Sequence, residues 1–380
     1  MTGGGGVHRA EWLTERLAPE VERSLSRLER SPGVRHVAVM PDVHLASQFC
    51  VGTVIGTEAV VYPGAVGSDI GCGIVAHRLT RSAEILGLRE GGGARILRAL
   101  AALVPIVRHT GKLAAGELPD DLDPQGLSDG GLARRAVREG NIQLGTLGRG
   151  NHFLELARDD AGQPWVMVHS GSRGMGQAIF SHHLRRCRET SDGLAFLDAD
   201  TVDGQSYLSD VAWARRYAAT SRRFMVEAAA AILEEYFGTT LADDEDVACD
   251  HNHVQQEEHM GVDLWVHRKG AVSASDGEAG IVAGTMGTVS YITEGRGNTE
   301  SLRSSSHGAG RVLTRGEARS RLTLRQLRRQ LAGVTYDKQR ERVLLEEAPA
   351  AYRDARAVMQ AQGELTRIRV RLQPLLVYKG

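Results

Sequence analysis

Apolar residues recur at three- and four-residue steps in four stretches of the chain, and this spacing predicts amphipathic helices. In the first stretch, 8–30, the apolar positions are Trp12, Leu13, Leu17, Val21, Leu25 and Leu28. The other stretches are 94–104, 207–237 around an alanine-rich run, and 323–345, where arginine and glutamate occupy the polar face. We interpret all four as scaffold helices.

Short β-like runs separated by glycine-rich turns predict strands. They lie at 34–39, 51–61, 74–79, 153–156, 165–168, 264–267 and 289–292. Because strands and helices are interleaved, the sequence predicts an α+β fold, a mixed α/β architecture.

The chain shows no segment that would divide it into separate domains. Candidate chemical groups are spread from residue 42 to residue 379 and have to converge, so 1–380 is expected to form a single large domain. Within it, 1–33 is predicted to be an N-terminal helical segment. The segment 113–140, rich in Gly, Asp, Pro and Leu, is predicted to be a surface excursion.

Composition and charge narrow the classes of function. The 46 basic and 47 acidic residues give a net charge of -1, so a polyanion would have to be held by a local basic patch. The cysteines form no CxxC pair, which argues against a disulfide framework or a zinc ribbon and favours a cytoplasmic protein; they are Cys50, Cys72, Cys187 and Cys249. No apolar run approaches the roughly 18 residues that a membrane span needs.

Candidate metal ligands occur in and beside glycine-rich turns. Asp69 and Cys72 are three residues apart, and their flanking glycines allow a carboxylate and a thiolate to meet at one point. The alternative is a tight turn around a buried structural cysteine. His152 and His169 each adjoin a strand-like run, and either one alone is more typical of a hydrogen-bonded structural histidine.

Together with His251, these residues form a mixed oxygen, sulfur and nitrogen ligand set that suits Mn(II), Zn(II) or Fe(II). The sequence does not choose among the metals. His251 and His253 would share a face on a strand and diverge on a helix. Of the additional histidines, which include His259 and His267, we expect only His251 to be a ligand.

Several glycine-rich turns could bind phosphate groups through backbone N–H groups. They lie at 145–150, 170–174, 283–287 and 308–310, and none has the Walker A or GxGxxG pattern. Each alone is typical of an ordinary turn. His307, in the run SSSHGAGR at 304–311, has small neighbours that leave it open to a large ligand, which makes it a candidate nucleophile.

Together these runs resemble the RtcB family of RNA-splicing ligases. The matching motifs begin with MPDVH at 40–44, VGSDIGCG at 66–73, GTLGRGNHFLE at 145–155 and VHSGSRG at 168–174. They continue with HN at 251–252, RKGAVS at 268–273, GTMG at 284–287, SHGAGR at 306–311 and VYKG at 377–380. The motifs follow the order of the family, which makes the string far more specific than any single pattern.

The resemblance implies a GTP- and Mn(II)-dependent ligase that joins RNA 3′-phosphate or 2′,3′-cyclic phosphate ends to 5′-hydroxyl ends, in RNA repair or tRNA splicing. It implies that His307 is guanylylated and that two Mn(II) ions share Cys72. One ion would also bind Asp69 and His152, and the other His169 and His251.

The resemblance also implies a set of residues that contact GTP. They are Asn151, His152, Phe153, Leu154, Glu155, His251, Asn252, Ala283, Gly284, Thr285, Met286, Ser290, His307, Gly308, Ala309, Gly310 and Lys379. Glu155 has the right chemistry to accept hydrogen bonds from the guanine N1–H and amino group, which would select guanine over adenine.

The chain departs from the family pattern at two places, and two other functions stay open. LASQFC at 45–50 replaces a glycine-containing turn, which could reshape the RNA entrance, and Ala283 replaces a common proline, which could loosen the nucleotide pocket. A metal-dependent phosphoesterase acting on cyclic-phosphate ends would need the metal ligands but not GTP. A non-catalytic RNA-end-binding protein would not need the complete set of ligands.

Overall fold

The computed structural model describes residues 6–86, 88, 91–110 and 118–380. Its α-helices are α1 Pro19–Glu29, α2 Gly92–Leu103, α3 Gly130–Arg135, α4 Asn141–Gln143, α5 Arg173–Leu184, α6 Val202–Phe237, α7 Arg315–Arg321, α8 Leu324–Gln330, α9 Glu341–Leu344 and α10 Ala355–Ala361. A π-helical turn, Ala136–Gly140, joins α3 to α4.

The strands fall into two main sheets and two small ladders in the described part of the chain. They are β1 His8–Glu11, β2 Val34–Leu45, β3 Cys50–Thr57, β4 Val60–Val61, β5 Gly73–Leu79, β6 Phe153–Arg158, β7 Pro164–Ser170, β8 Arg188–Glu189, β9 Ala195–Asp198, β10 Leu241–Asp250, β11 Asn252–His259, β12 Val262–Lys269, β13 Ala271–Ser273, β14 Ala279–Val282, β15 Ser290–Gly295, β16 Ser304–Ser306, β17 Thr335–Tyr336 and β18 Thr366–Lys379.

The two main sheets meet where β10 passes into β11. The larger sheet has the order β10-β5-β7-β6-β18-β15-β14, with β17 beside β18, and the smaller sheet has the order β1-β2-β3-β12-β11. The ladders are β13-β16 and β4-β9-β8. The prediction of an α+β fold in a single domain is confirmed.

Four neighbouring antiparallel strands of the larger sheet, β10, β5, β7 and β6, start or end at the same edge. Gly73 at the start of β5 pairs with Asp250 at the end of β10 and with Ser170 at the end of β7. Phe153 at the start of β6 pairs with His169. Because antiparallel neighbours start and end alternately at the same edge, residues far apart in sequence are placed side by side there.

The long helix α6 supports the larger sheet and forms much of the core. It starts after Thr201, whose side chain accepts a hydrogen bond from the Gly204 N–H, and it ends at Gly238 in a left-handed conformation. Its buried face includes Trp213 and Tyr217, whose rings stack with centroids 5.4 Å apart. Among the described helices, none combines the length and apolar character needed to cross a membrane.

The prediction of one helix over 8–30 is wrong in its first half. His8–Glu11 is strand β1, which pairs in parallel with 36–39 of β2, and the helix covers only Pro19–Glu29. Pro19 explains the boundary, because a proline fits the first turn of a helix but keeps the preceding residue extended. Strand β2 is longer than predicted and continues to Leu45.

Two other predicted elements are interrupted. In 323–345 the helix stops at Gln330, and strand β17 intervenes before α9. Gly333 has a left-handed φ of 89°, and Thr335–Tyr336 pairs with β18, so tertiary pairing overrides the helical pattern. The predicted strand 51–61 is divided at Ala59, which has a φ of 56°.

The predicted surface excursion 113–140 contacts the core at a few positions of its described part. Residues 118–140 are described, whereas the first residues of the excursion, 113–117, lie outside the described chain. Leu122, Leu132 and Ala136 are buried against α6. Trp213 Nε1 donates to the Asp123 carbonyl at 3.1 Å, and Tyr217 Oη donates to the Gly140 carbonyl at 2.6 Å. Sequence alone cannot reveal that α6 supplies a surface for these leucines.

We expect Trp213→Ala to lower the free energy of unfolding by about 3–5 kcal/mol, because it removes a fully buried aromatic ring and leaves a cavity. Denaturant unfolding measures the change. Val202→Ala, at a position of the same helix that is 84% exposed, is the control and should change the free energy by less than about 0.5 kcal/mol. Equal effects of the two substitutions would contradict this account of the core.

Candidate metal and nucleotide site

Two groups of three potential metal ligands share Cys72. One group is Asp69, Cys72 and His152, the other is Cys72, His169 and His251, and the ligand atoms of each group lie within 4.8 Å of one another. Cys72 Sγ lies 3.4 Å from Nε2 of both His152 and His169. Nε2 of His152 lies 2.9 Å from Asp69 Oδ2, and Nε2 of His169 lies 3.3 Å from Nε2 of His251.

The strand ends of the larger sheet create this arrangement. Cys72 precedes β5, His152 precedes β6, His169 is the last residue but one of β7, and His251 lies between β10 and β11. Backbone pairing therefore fixes the separation of these four side chains before any ligand binds. Outer contacts orient two of the rings, since Nδ1 of His152 lies 3.1 Å from the Leu147 carbonyl and Nδ1 of His169 lies 3.3 Å from that of Asn151.

The turn that carries Cys72 rests directly on α6. Gly71 has a φ of 70°, and a Cβ at this position would lie 2.8 Å from the Arg215 Cα, so a glycine is needed here. The buried Arg222 side chain donates hydrogen bonds of 2.8 Å to the carbonyls of both Gly71 and Ser170. Helix α6 thus joins the Cys72 turn to the end of β7.

Burial keeps the imidazoles of this cluster in the form that binds metals. It holds the pKa of His169 and of His251 well below the ordinary value, and neighbouring histidines lower both further. Burial and the Asp69 carboxylate raise the pKa of the Cys72 thiol. A divalent cation would reverse this last effect because it stabilises the thiolate. Nδ1 of His251 is buried without a hydrogen-bond partner among the described residues.

These donors fit a pair of divalent ions. A carboxylate, imidazoles and one thiol are ligand types that Mn(II), Zn(II) and Fe(II) accept, and Cys72 Sγ belongs to both groups of potential ligands. Burial alone would raise the pKa of Asp69, but contacts with His152 and Cys72 lower it, so its carboxylate is anionic at neutral pH.

His307 lies beside this cluster and faces a buried carboxylate. Its Nδ1 is 2.7 Å from Oδ2 of Asp42, whose side chain is fully buried in β2, and its ring centroid is 4.6 Å from that of His251. Gly310 allows the close approach, since a Cβ there would lie 2.4 Å from the Asp42 carbonyl oxygen. The carboxylate favours a proton on Nδ1, which leaves the lone pair on Nε2 free.

A cleft of about 490 Å³ opens from His307 and the metal-ligand cluster. Fifteen of the residues predicted to contact nucleotide line it: Asn151, Phe153, Glu155, His251, Asn252, Ala283, Gly284, Thr285, Met286, Ser290, His307, Gly308, Ala309, Gly310 and Lys379. Two do not. Leu154 is buried on the opposite face of the sheet with Leu156 and Val168, because side chains alternate along β6. His152 lines a different opening.

Two predicted residues of the cleft already have partners within the protein. Asn252 donates its side-chain amide to the Asp69 carbonyl at 3.1 Å and accepts from the Gly270 N–H at 2.9 Å. Ser290 Oγ accepts from the Gly284 N–H at 3.0 Å, which closes the 283–290 turn. Both side chains therefore hold the walls of the cleft in place.

In the wall of the cleft next to His169, Glu155 and Lys379 form a buried polar pair. They lie on paired strands, β6 and β18, and Lys379 Nζ donates to the Asn151 carbonyl at 3.1 Å and lies 5.5 Å from the Phe153 ring centroid. Burial raises the pKa of Glu155 well above its usual value, although Lys379 opposes the shift, and Glu155 Oε1 has no hydrogen-bond partner among the described residues. Burial also lowers the pKa of Lys379.

The sequence analysis did not identify several residues that line the cleft. The most notable are Glu347 and Tyr352, which contact each other, and Arg311, which donates to both. Glu347 ends a short 3-10 turn, Leu345–Glu347, and no spacing signal distinguishes it from the neighbouring Glu346. The departures from the family pattern also lie here, because Leu45, Ala46 and Ala283 are part of the wall.

A second opening of about 430 Å³ reaches the metal-ligand cluster from another side. It is lined by Ser68, Asp69, Val107, Arg149, Asn151, His152, Arg173 and Gln177. Arg149 is exposed and forms no salt bridge with an acidic residue of the described chain. Arg173, at the start of α5 with a φ of 55°, donates to Thr146 Oγ1 and to the Ile106 carbonyl. The opening is therefore basic at its rim and has a carboxylate and an imidazole at its base.

The remaining candidate histidines serve other contacts. Nδ1 of His253 lies 3.1 Å from Asp250 Oδ1, Nε2 of His259 lies 2.9 Å from Glu257 Oε2, and Nε2 of His267 accepts from the Tyr62 N–H at 3.0 Å. Of the histidines near residue 251, the structure brings only His251 to Cys72 and His169, as the sequence analysis expected.

Substitutions at Cys72 and Asp69 should have different effects on metal stoichiometry. We expect the wild type to bind two Mn²⁺ ions, Asp69→Ala to lose one, and Cys72→Ala to weaken both by more than about tenfold, because only the sulfur belongs to both groups. Electron paramagnetic resonance of free Mn²⁺ counts the bound ions. Cys187→Ala, outside both groups, is the control, and two retained ions in Cys72→Ala would refute the shared site.

Comparison with known proteins identifies the chain's relatives. The family model described as "tRNA-splicing ligase RtcB" matches residues 24–123 and 125–380. The chain is 38% identical over 377 residues to the RNA-splicing ligase RtcB of Escherichia coli K12, with 91% of this chain and 90% of that protein covered.

More distant relatives match over similar lengths. The RNA-splicing ligase RtcB of Mycobacterium tuberculosis H37Rv is 32% identical over 433 residues, covering 92% of this chain and 98% of that protein. The tRNA-splicing ligase RtcB of Thermococcus kodakarensis is 30% identical over 459 residues, covering 99% of this chain and 94% of that protein. With nearly its whole length matched, this chain belongs to the tRNA-splicing ligase RtcB family.

Proposed function

We propose that the protein is a GTP- and Mn(II)-dependent RNA ligase that joins RNA 3′-phosphate or 2′,3′-cyclic phosphate ends to 5′-hydroxyl ends, in RNA repair or tRNA splicing. The observation that carries this proposal is the position of His307. It lines the cleft beside His251, with the two ring centroids 4.6 Å apart, Asp42 2.7 Å from Nδ1 and Nε2 free to act as a nucleophile.

The proposed reaction has three bond exchanges. His307 Nε2 attacks the α-phosphorus of GTP, so an N–P bond forms and pyrophosphate leaves. The RNA 3′-phosphate then attacks the same phosphorus, which breaks the N–P bond and gives an RNA with GMP on its end. Finally the 5′-hydroxyl attacks the RNA phosphate, forms the phosphodiester and releases GMP. A cyclic end first takes up water to become a 3′-phosphate.

Residues of this chain supply positioning and charge for these steps. Asp42 holds the His307 ring and stabilises the positive charge that Nε2 acquires as it bonds to phosphorus. The ligands Asp69, Cys72, His152, His169 and His251 would hold two Mn(II) ions, which neutralise phosphate charge when bound. The run 308–310 lines the same cleft, and its backbone N–H groups can donate to phosphate oxygens, whereas the N–H groups of Gly284 and Thr285 already donate to the Ser290 and Thr288 side chains.

The base of the nucleotide is proposed to lie against Phe153, within reach of Glu155 and Lys379. A guanine presents two donors, N1–H and the amino group, and one acceptor, O6. Glu155 is the buried acceptor for the donors, and Lys379 is the buried donor for O6. Adenine would place a donor against Lys379 and leave Glu155 with a partner missing, which disfavours ATP.

The second opening is proposed to admit RNA. Arg149 and Arg173 line it with Asp69 and His152, so phosphodiester groups bound by these arginines would lead an RNA end to the proposed ions. A net charge of -1 gives the protein no general attraction to RNA, so a local basic rim is needed. The four cysteines are free, which favours the cytoplasm as the proposed location.

The alternative functions explain less of the arrangement. A phosphoesterase needs the ligand groups but has no use for His307 held by a buried Asp42 at the mouth of a nucleotide-sized cleft. A non-catalytic RNA-end-binding protein needs neither of them. Product analysis with and without GTP distinguishes the three, because only the ligase requires GTP to join the ends.

Incubation with α-³²P-labelled GTP and Mn²⁺ should attach label covalently to the wild type, and His307→Ala should abolish it, because no other nucleophile replaces Nε2. Gel autoradiography after denaturation measures the label. His8→Ala, at an exposed N-terminal histidine, is the matched control and should be labelled like the wild type. Label on His307→Ala would refute the assignment of the nucleophile.

Reversing the charge at Arg149 should separate RNA joining from guanylylation. We expect Arg149→Glu to leave labelling with GTP unchanged and to raise the KM for RNA by about tenfold, with a steeper loss as salt increases, since it places an acid in the second opening. Arg16→Glu, which lies outside both openings, is the control. An unchanged KM for RNA would show that RNA does not use this opening.

A further inference from the structure

Glu347 lies outside the motifs shared with the RtcB family. Its carboxylate contacts four side chains in the part of the cleft where the nucleotide base is proposed to bind. Glu347 Oε1 lies 3.2 Å from the Arg311 guanidinium and 3.5 Å from that of Arg315. Its Oε2 accepts from the Tyr352 hydroxyl and lies 3.4 Å from Lys379 Nζ. All five residues line the cleft.

Glu347 is only 4% exposed, so its charge is held in an environment that favours the neutral acid. Burial alone would raise its pKa, but Lys379, the Tyr352 hydroxyl and Arg311 together lower it. The carboxylate is therefore anionic at neutral pH and binds all of these groups at once. A buried charge that loses its partners is strongly destabilising, so the position of each group depends on the others.

The contacts also show how Glu347 can act. Both of its oxygens are occupied by protein groups, which leaves it no free acceptor for a nucleotide. Lys379, in contrast, has one backbone contact, to the Asn151 carbonyl, and its remaining N–H can turn into the cleft. Glu347 thus acts on a ligand through Lys379 and Tyr352.

We propose that Glu347 is a positioning residue that holds Lys379 and Tyr352 in place for the O6 edge of guanine. This inference rests on the proposed function. In this proposal two carboxylates share recognition of the base. Glu155 accepts hydrogen bonds from the N1–H and amino donors. Glu347 affects binding of O6 indirectly, because it fixes the direction of the Lys379 N–H groups.

Glu346 provides a matched control. It is the neighbouring acid, but its side chain pairs with Arg319 and lies 3.8 Å from Arg315, so it makes no contact with Lys379 or Tyr352. Glu346→Gln removes one negative charge from the same stretch of chain without changing the part of the cleft where the base is proposed to bind.

The test is the rate of covalent labelling as a function of GTP and of inosine triphosphate concentration. Inosine keeps O6 and N1–H but lacks the amino group. We expect Glu347→Gln to raise the KM for both nucleotides by about tenfold while kcat changes less than about threefold, because a charge-assisted contact is lost far from the reacting phosphorus. Glu347→Asp should recover part of the affinity, and Glu346→Gln should resemble the wild type.

Glu155→Gln should behave differently, raising the KM for GTP more than that for inosine triphosphate, because only GTP has the amino group. Thermal unfolding of each variant separates loss of recognition from loss of folding, and Glu347→Asp provides the second variant if Glu347→Gln unfolds. An unchanged GTP KM in folded Glu347→Gln, or an equal fall in kcat, overturns the inference.

Failure of the proposed function gives a different result. If the wild type takes no label, the ligase proposal fails, and calorimetric titration with GTP then decides the role of Glu347 alone. In that case Glu347→Gln must still bind GTP about tenfold more weakly than the wild type and Glu346→Gln. Equal binding by all three overturns the inference.

Discussion

The shared position of Cys72 is the constraint on which the rest of the site depends. Its sulfur lies 3.4 Å from two histidine rings that come from different strands, and this is possible only because β10, β5, β7 and β6 end at one edge of the sheet. The turn before β5 packs directly against α6, so there is no room for a side chain at Gly71. Arg222 of α6 donates hydrogen bonds to two carbonyls at this contact. Packing of a 36-residue helix thus determines the geometry of a candidate metal centre.

The same sheet also separates two electrostatic environments along one cleft. At the strand ends, neutral imidazoles, a thiol and Asp69 leave a region that favours cations. Around Glu347 and Lys379, where the base is proposed to bind, the charges of buried carboxylates and cationic side chains offset one another. His307 lies beside His251 of the first region, on the turn after β16, and Asp42 from the smaller sheet supplies its acidic partner. A nucleotide that spans the cleft would place its phosphates and its base in regions suited to each.

The sequence located some elements around the site accurately and misplaced others. The strands at 74–79, 153–156 and 165–168 are short, apolar and bounded by turns, and each was located within a few residues. The helix predicted over 8–30 was wrong in its first half because His8–Glu11 pairs with β2 as strand β1 and Pro19 fixes where the helix begins. The excursion at 113–140 contacts the core through leucines that cluster with residues of α6, and a local pattern carries no information about such a distant surface.

By itself, the sequence determined which groups are available, and they follow the order of the RtcB family: Asp69, Cys72, His152, His169, His251 and His307. All of them except His251 lie beside glycines that permit a sharp turn. Only the tertiary structure decided which of them meet. Strand pairing and close packing on α6 set distances of a few ångströms between residues far apart in sequence, such as Asn252 and Asp69, which are 183 positions apart. Glu347 and Asp42 emerge for the same reason, since burial and partners, which no local pattern encodes, give a carboxylate its role.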